Sequence, residues 1–297
     1  MTEDDGMNIL FLGGTRYFGR RAVYSLIEKG HTVTIATRGR AADDFGNRVK
    51  RLIIERTDEE NMKRALRGVH YDVAFDSLAY CSSDVKYALE AVDCDRYIMV
   101  SSASVYQMHV GMKEEDFDPY QKKLIWCGRT DFSYGEIKRQ AECALFQKYS
   151  CFHPVAVRFP IVIGEDDYTG RLAFHVEHII RGRAMNIDDD GSQLAFVRSD
   201  EAGSFLAFLA DCGFSGPING CSPQTVTVRE ILEYVSRKTG KTAVISPEGD
   251  EAPFNGASDY SMNTEKAEKL GFHFTPLHEW IFGLLDYDID RTIQEEK

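Results

Sequence analysis

Asn8-Ile9-Leu10-Phe11-Leu12-Gly13-Gly14-Thr15-Arg16-Tyr17-Phe18-Gly19 is the stretch on which the fold turns. Five residues of β-strand composition run into a glycine turn, and a helical pattern follows. Ala22, Val23, Leu26 and Ile27 share one face between Phe18 and Lys29, and Gly30 is a natural C-terminal stop. Strand, glycine turn and helix in this order make a seat for a dinucleotide pyrophosphate. Gly13 allows the tight turn, Gly19 lets the helix close on the sheet, and the N–H groups at the helix start face the phosphates with the helix dipole behind them. Arg16 stands where the usual Gly-x-x-Gly-x-x-Gly spacing has its middle glycine, a cation where phosphates would lie. Thr15, Arg16, Tyr17 and Phe18 therefore join Gly13 and Gly19 as candidate cofactor contacts.

Working outward, strand-like runs recur at Thr32–Thr37, Arg51–Glu55, Asp72–Asp76 and Arg96–Ser101, with helical patterns at 59–66 and 84–92 between them. Such alternation predicts an α/β, Rossmann-type doubly wound parallel sheet with helices on both faces. A long helix is expected over 133–149 and a further strand over 154–159. From about 164 the pattern changes: helices near 172–182, 200–211, 227–238 and 264–270 alternate with short strands at 194–197 and 217–219. This predicts a frayed tail over 1–6, a dinucleotide-binding domain over 7–163 and a smaller α+β substrate lobe over 164–297, some of whose strands can rejoin the main sheet.

The second strand ends in Ala36-Thr37-Arg38-Gly39-Arg40. An NAD-binding sheet carries a carboxylate here for the ribose 2′-hydroxyl, and a nearby arginine accommodates a 2′-phosphate. Arg38 therefore favours NADP over NAD. After the third strand, Glu55 and Asp58 are placed to meet the adenine end, and Asp58 serves equally as a helix N-cap.

Tyr134-Gly135-Glu136-Ile137-Lys138 sets a tyrosine and a lysine one helical turn apart. A lysine ammonium at that distance lowers a tyrosine pKa from about 10, which makes Tyr134 a candidate base and Lys138 its tuner and a nicotinamide-ribose ligand. Ser101-Ser102-Ala103-Ser104 ends the fifth strand, where α/β sites form, and supplies a hydroxyl for the substrate oxygen.

With these motifs in place the chain resembles the extended short-chain dehydrogenase/reductases, in the NAD-dependent epimerase/dehydratase family, over nearly its whole length. Ser101 to Tyr106 resembles the family's Ser-Ser-x-x-Val-Tyr segment, whose second serine is catalytic. Tyr134 and Lys138 match its active pair. Leu78-Ala79-Tyr80 resembles the segment lining the nicotinamide channel. Arg158-Phe159-Pro160 to Gly164 resembles the turn beside the substrate, and Phe196 to Asp200 a later motif. The resemblance implies a catalytic set Ser102, Tyr134 and Lys138, substrate contacts at Arg158 and Ser104, and a nucleotide-activated sugar as substrate. It also implies a homodimer through the helices near 84–92 and 133–149. Ala103-Ser104 stand where family dehydratases carry Asp-Glu, which argues against 4,6-dehydration. The Arg16-bearing loop resembles a subgroup that includes the chloroplast stem-loop-binding proteins, which are associated with RNA. A non-catalytic dinucleotide-binding or RNA-associated protein, or an NADP(H) redox sensor, is the alternative.

Bulk properties fit an enzyme. The chain has 297 residues, is 43% hydrophobic and 28% charged, and carries 35 Lys+Arg against 47 Asp+Glu for a net charge of −12. That balance disfavours phosphate backbones and anionic membranes. Seven scattered cysteines without a CxxC read as reduced thiols in a cytoplasmic protein. The acidic N-terminus is not a signal peptide, and no apolar run is long enough to span a bilayer. His175 and His178 are expected on a solvent-facing helix rather than on a metal, and no metal ligand set is proposed.

Overall fold

The computed structural model describes residues 6–297; Met1–Asp5 of the expected tail lie outside the described residues. The first half runs β1 Asn8–Leu12, α1 Tyr17–Glu28, β2 Thr32–Thr37, β3 Val49–Ile53, α2 Glu59–Leu66, β4 His70–Asp76, α3 Ser82–Leu89, β5 Asp93–Ser102, α4 Tyr134–Lys148 and β6 Val155–Phe159. A further strand, Gly216–Asn219, completes a parallel sheet in the order Gly216–Asn219, β6, β5, β4, β1, β2, β3. The order reverses between β1 and β4, so a crevice opens at the carboxyl ends of those strands.

Both faces of the sheet are covered, which is why β1 is apolar from Ile9 to Leu12. Ile9 and Phe11 enter one core with α1 and α6 (Ser199–Asp211), while Leu10 and Leu12 enter the other with α2, α3 and α4. Gly203 makes the α1–α6 contact possible: a Cβ there would lie 2.5 Å from the Cβ of Arg21 and 2.7 Å from the backbone N of Ala22.

The boundary expected at 164 is therefore not a clean cut. α6, the Gly216–Asn219 strand and Phe272 and Phe274, which follow α8 (Glu265–Leu270), all return to the sheet. The second core is enclosed instead by α5 (Arg171–Arg181), α7 (Val228–Thr239) and α9 (Ile281–Glu295) around Phe196, Tyr260 and Trp280. His175 and His178 do not face solvent as expected. They belong to the apolar face of α5, where His175 stacks on Phe254 at 5.6 Å and His178 on Phe174 at 3.7 Å. Burial holds the His175 pKa down at about 4, so the ring packs as a neutral aromatic. All seven cysteines are free thiols. Among the described residues no helix is long and apolar enough to cross a membrane.

Candidate active site

α4 begins at Tyr134, directly after its N-cap Ser133, and brings Lys138 round one turn later. Lys138 is buried; its Nζ donates to Ala79 O at 2.7 Å and to Val100 O at 3.0 Å. The ammonium lies 4.8 Å from the centre of the Tyr80 ring and 6.0 Å from that of Tyr134. Burial draws its pKa down to about 8, against the pull of Asp76, Glu142 and Asp84. Ser102 closes β5 and caps the short turn Ala103–Val105, accepting from Ser104 N at 3.2 Å with its Oγ 3.0 Å from Ser104 Oγ.

Tyr134 meets Tyr80 edge-on at 6.2 Å. Tyr134 is 47% exposed, yet desolvation by the residues around it raises the phenol pKa; the Ser102 hydroxyl lowers it, Tyr80 raises it and Arg171 lowers it. The Lys138 ammonium itself is turned to two backbone carbonyls. In the protein by itself the order is thus inverted, with the lysine titrating near 8 and the phenol above its usual value.

Gly135 fixes the approach of Tyr134 to the serine turn. A Cβ at this position would lie 2.6 Å from Ser104 O, a contact that backbone must relieve by moving. Gly135→Ala is therefore expected to lower turnover by about 10²-fold, the cost of an ångström-scale misplacement. The helix itself would gain up to about 1 kcal/mol of propensity. Steady-state kinetics beside a melting curve separates the two: an unchanged rate would show that the helix does not need this close approach.

A cavity of about 380 Å³ gathers Ser102, Ser104, Tyr134 and Lys138 with Tyr17, Phe18 and Tyr80. A second recess of about 410 Å³ takes Thr15 and Arg16 and shares Tyr17 and Tyr168 with the first. The glycine loop lies alongside. Gly13 and Gly14 have φ of +105° and +85°, and Cβ atoms there would lie 2.4 Å from Ser77 Oγ and 2.8 Å from Val23 Cγ2. This close turn at a helix start, with no side chains on its two glycines, fits a pyrophosphate. Arg16 is exposed, with its guanidinium 5.8 Å from the Tyr168 ring centre. Ala79 contributes its carbonyl to Lys138, and Leu78 N donates to Asp76 Oδ1 at 2.8 Å.

The other expected contacts lie outside these two recesses. Arg38 is exposed just past β2, and the neighbouring acids Asp43 and Asp44 are engaged by Arg51 and Arg20. Asp58 accepts from Asn61 N at 3.0 Å as the N-cap of α2. Glu55 is half-buried and accepts from Thr57 Oγ1 at 3.2 Å. Arg158, expected beside the substrate, is fully buried. It pairs with Glu142 at 2.6 Å and donates to Tyr106 Oη, Glu114 O and Phe117 O. It touches neither cavity, and its guanidinium ties β6 to α4 and to the 114–117 segment. His70, Asp72 and Asp95 come together at the opposite, N-terminal edge of the sheet, outside the cleft.

The cavity also holds residues that the motifs did not indicate: Arg171, Tyr168 and Tyr260. The one local signal for Arg171 is Gly170, which opens α5 in the left-handed region at φ +62°.

No protein-family model matches the chain. Over 252 residues it is 32% identical to the chloroplast stem-loop binding protein of 41 kDa b from Arabidopsis thaliana, covering 78% of this chain and 63% of that protein. The chain thus spans less than two thirds of the length of that relative. UDP-glucose 4-epimerase from Thermotoga maritima, solved with UDP-glucose, superposes with a TM-score of 0.75 at 18% identity, covering 98% of this chain and 100% of that one. dTDP-glucose 4,6-dehydratase from Bacillus anthracis, solved with NAD, gives 0.72 at 16% identity, covering 95% and 96%. The chain has the fold of these structures, a seven-stranded parallel sheet with helices on both faces; the parallel, doubly wound arrangement is the one the strand–helix alternation predicted.

Proposed function

We propose that the chain is an extended short-chain dehydrogenase/reductase of the NAD-dependent epimerase/dehydratase type, acting on a hydroxyl or carbonyl carbon of a nucleotide-activated sugar. One observation carries the reading: Ser102, Tyr134 and Lys138 converge on one cavity at the carboxyl edge of the sheet, beside a glycine loop shaped for a pyrophosphate. The dinucleotide, when bound, supplies the hydride acceptor or donor. Ser102 Oγ donates to the substrate oxygen, Tyr134 Oη exchanges the proton, and the Lys138 ammonium provides fixed positive charge one turn away. Ala103 and Ser104 offer no carboxyl acid, so dehydration is not part of the proposal. NADP is favoured over NAD because Arg38 stands free where an NAD site would carry a carboxylate.

A thermal-shift series with NAD, NADH, NADP and NADPH, each with and without nucleotide sugars, tests this. A ligand at about 100 times its Kd adds about 2.7 kcal/mol, which moves the midpoint of a chain this size by several degrees. NADP(H) is expected to give the largest shift, and Arg38→Ala to abolish its advantage over NAD(H). No shift with any dinucleotide overturns the reading. The 32% identical relative is named for stem-loop binding, which favours RNA association as the second reading. The net charge of −12 opposes it, and tight, salt-dependent retention of RNA stem-loops on filters would establish it.

A further inference from the structure

We propose that Arg129 is a positioning residue of the active site: it holds the Leu78–Tyr80 segment against the Lys138 ammonium, and it engages the Asp84 carboxylate so that this ammonium stays without a counter-ion of its own. The proposal rests on the reading above and adds to it a residue that touches neither substrate nor dinucleotide.

The first observation is a chain of hydrogen bonds through one peptide group. Ala79 O accepts from Lys138 Nζ at 2.7 Å, and Tyr80 N, in the same peptide, donates to Asp84 Oδ2 at 2.8 Å. Asp84 Oδ2 in turn accepts from Arg129 Nε at 3.0 Å, while Arg129 Nη2 donates to Leu78 O at 2.9 Å. Hydrogen bonds in series polarise one another where water is excluded, and the Asp84 side chain is only 3% exposed. The Tyr80 ring makes a second link. Its centre lies 4.9 Å from the Arg129 guanidinium carbon and 4.8 Å from Lys138 Nζ, and the ring meets Tyr134 edge-on. Arg129 is itself held by its turn. Cys127 N donates to Ser82 Oγ at 2.8 Å and Ser83 N to Cys127 O at 3.3 Å, which fixes the turn to the start of α3.

The second observation is how the charges around Lys138 are shared out. Asp76 on β4, Glu142 on α4 and Asp84 on α3 all act on the ammonium. Each has an arginine: Arg56 pairs with Asp76, to which Tyr97 Oη also donates, Arg158 pairs with Glu142, and Arg129 with Asp84. Lys138 itself donates to carbonyls. Tyr80, Tyr134 and Arg171 of α5 share the cavity with it. Burial lowers the Lys138 pKa to about 8; the three carboxylates raise it and Arg129 lowers it. Arg56 and Arg158 are buried in the core, whereas the Arg129 side chain is 37% exposed. Arg129 is therefore the arginine of this set that can be exchanged without opening the core.

The test reads Lys138 directly and needs no substrate. The protein is prepared with 13C-labelled lysine, the Lys138 signal is assigned by its loss in Lys138→Arg, and its midpoint is followed by NMR as the pH is raised. Arg129→Gln removes a charge that lowers the Lys138 pKa and releases a carboxylate that raises it. The midpoint is expected to rise by about half a pH unit or more. Asp84→Asn keeps an acceptor oxygen for Tyr80 N but removes the negative charge, and the midpoint is expected to fall. A role confined to holding the fold predicts otherwise: looser packing admits water and moves a buried lysine up toward its ordinary range in both variants. Upward shifts in both overturn the proposal, and so does an unmoved midpoint in Arg129→Gln. If a melting curve shows that Arg129→Gln does not fold, the direction in Asp84→Asn decides. The dinucleotide thermal-shift series keeps the two readings apart. Opposite midpoint shifts without dinucleotide binding uphold the link from Arg129 to Lys138 and overturn the reaction. Dinucleotide binding with an unmoved midpoint overturns the link and leaves the reaction standing.

Discussion

Tyr134→Phe is expected to lower turnover by about 10²–10⁴-fold, the range for loss of a positioned acid–base group, while leaving the fold and dinucleotide affinity intact. The substitution removes one oxygen. The ring keeps its edge-on contact with Tyr80, and the backbone of α4 still starts beside the Ser102 turn. What disappears is the hydroxyl on which Ser102 and Arg171 act. Rates measured on nucleotide sugars that shift the melting point, with melting curves and NADPH titrations alongside, check all three quantities. Unchanged turnover would remove Tyr134 from the chemistry. A joint loss of affinity and stability would make it a structural residue. The inverted pKa order gives the result a second use. Because the protein alone raises the phenol pKa, no tyrosinate absorbance is expected in the free protein at neutral pH.

Arg158→Met is expected to cost about 3–5 kcal/mol of folding stability, the usual effect of removing one partner from a buried ion pair. Glu142 is fully buried, and both of its oxygens accept from Arg158. Without the guanidinium it is an uncompensated carboxylate, and Tyr106 Oη, Glu114 O and Phe117 O lose a donor as well. Urea unfolding measures the loss. Pairing the change with Glu142→Leu is expected to recover part of it, because the stranded charge goes too. If Arg158 contacted substrate instead, stability would stay near wild type and KM alone would rise.

Arg158 also marks the limit of what the sequence could reveal. Its motif resembles a substrate turn, but whether an arginine faces a ligand or a carboxylate depends on Glu142, which arrives from another element 16 residues earlier. β1 was legible to the residue because its four apolar side chains, Ile9 to Leu12, fill two cores at once. β3 lies two residues earlier than the pattern suggested. As an edge strand it exposes Lys50, Arg51 and Ile53, so its polarity blurs the alternation. α9 went unread, although it closes the second core. Ser102, Tyr134 and Lys138 were legible because a strand end and one helical turn fix their spacing locally. Arg171 was not legible: it reaches the cavity only when α5 folds against the cleft, and no spacing along the chain announces that.

The return of α6 to α1 has a consequence for synthesis. Until residue 211 has left the ribosome, the face of the sheet carrying Ile9, Phe11, Val73 and Phe75 lacks the cover that Phe205, Leu206 and Leu209 provide. In the first 163 residues that cover is missing, since it comes from a helix encoded some 180 positions after its partner. Chains stalled before that point are the species on which chaperones would act, and the last docking step is one of high contact order and late in folding.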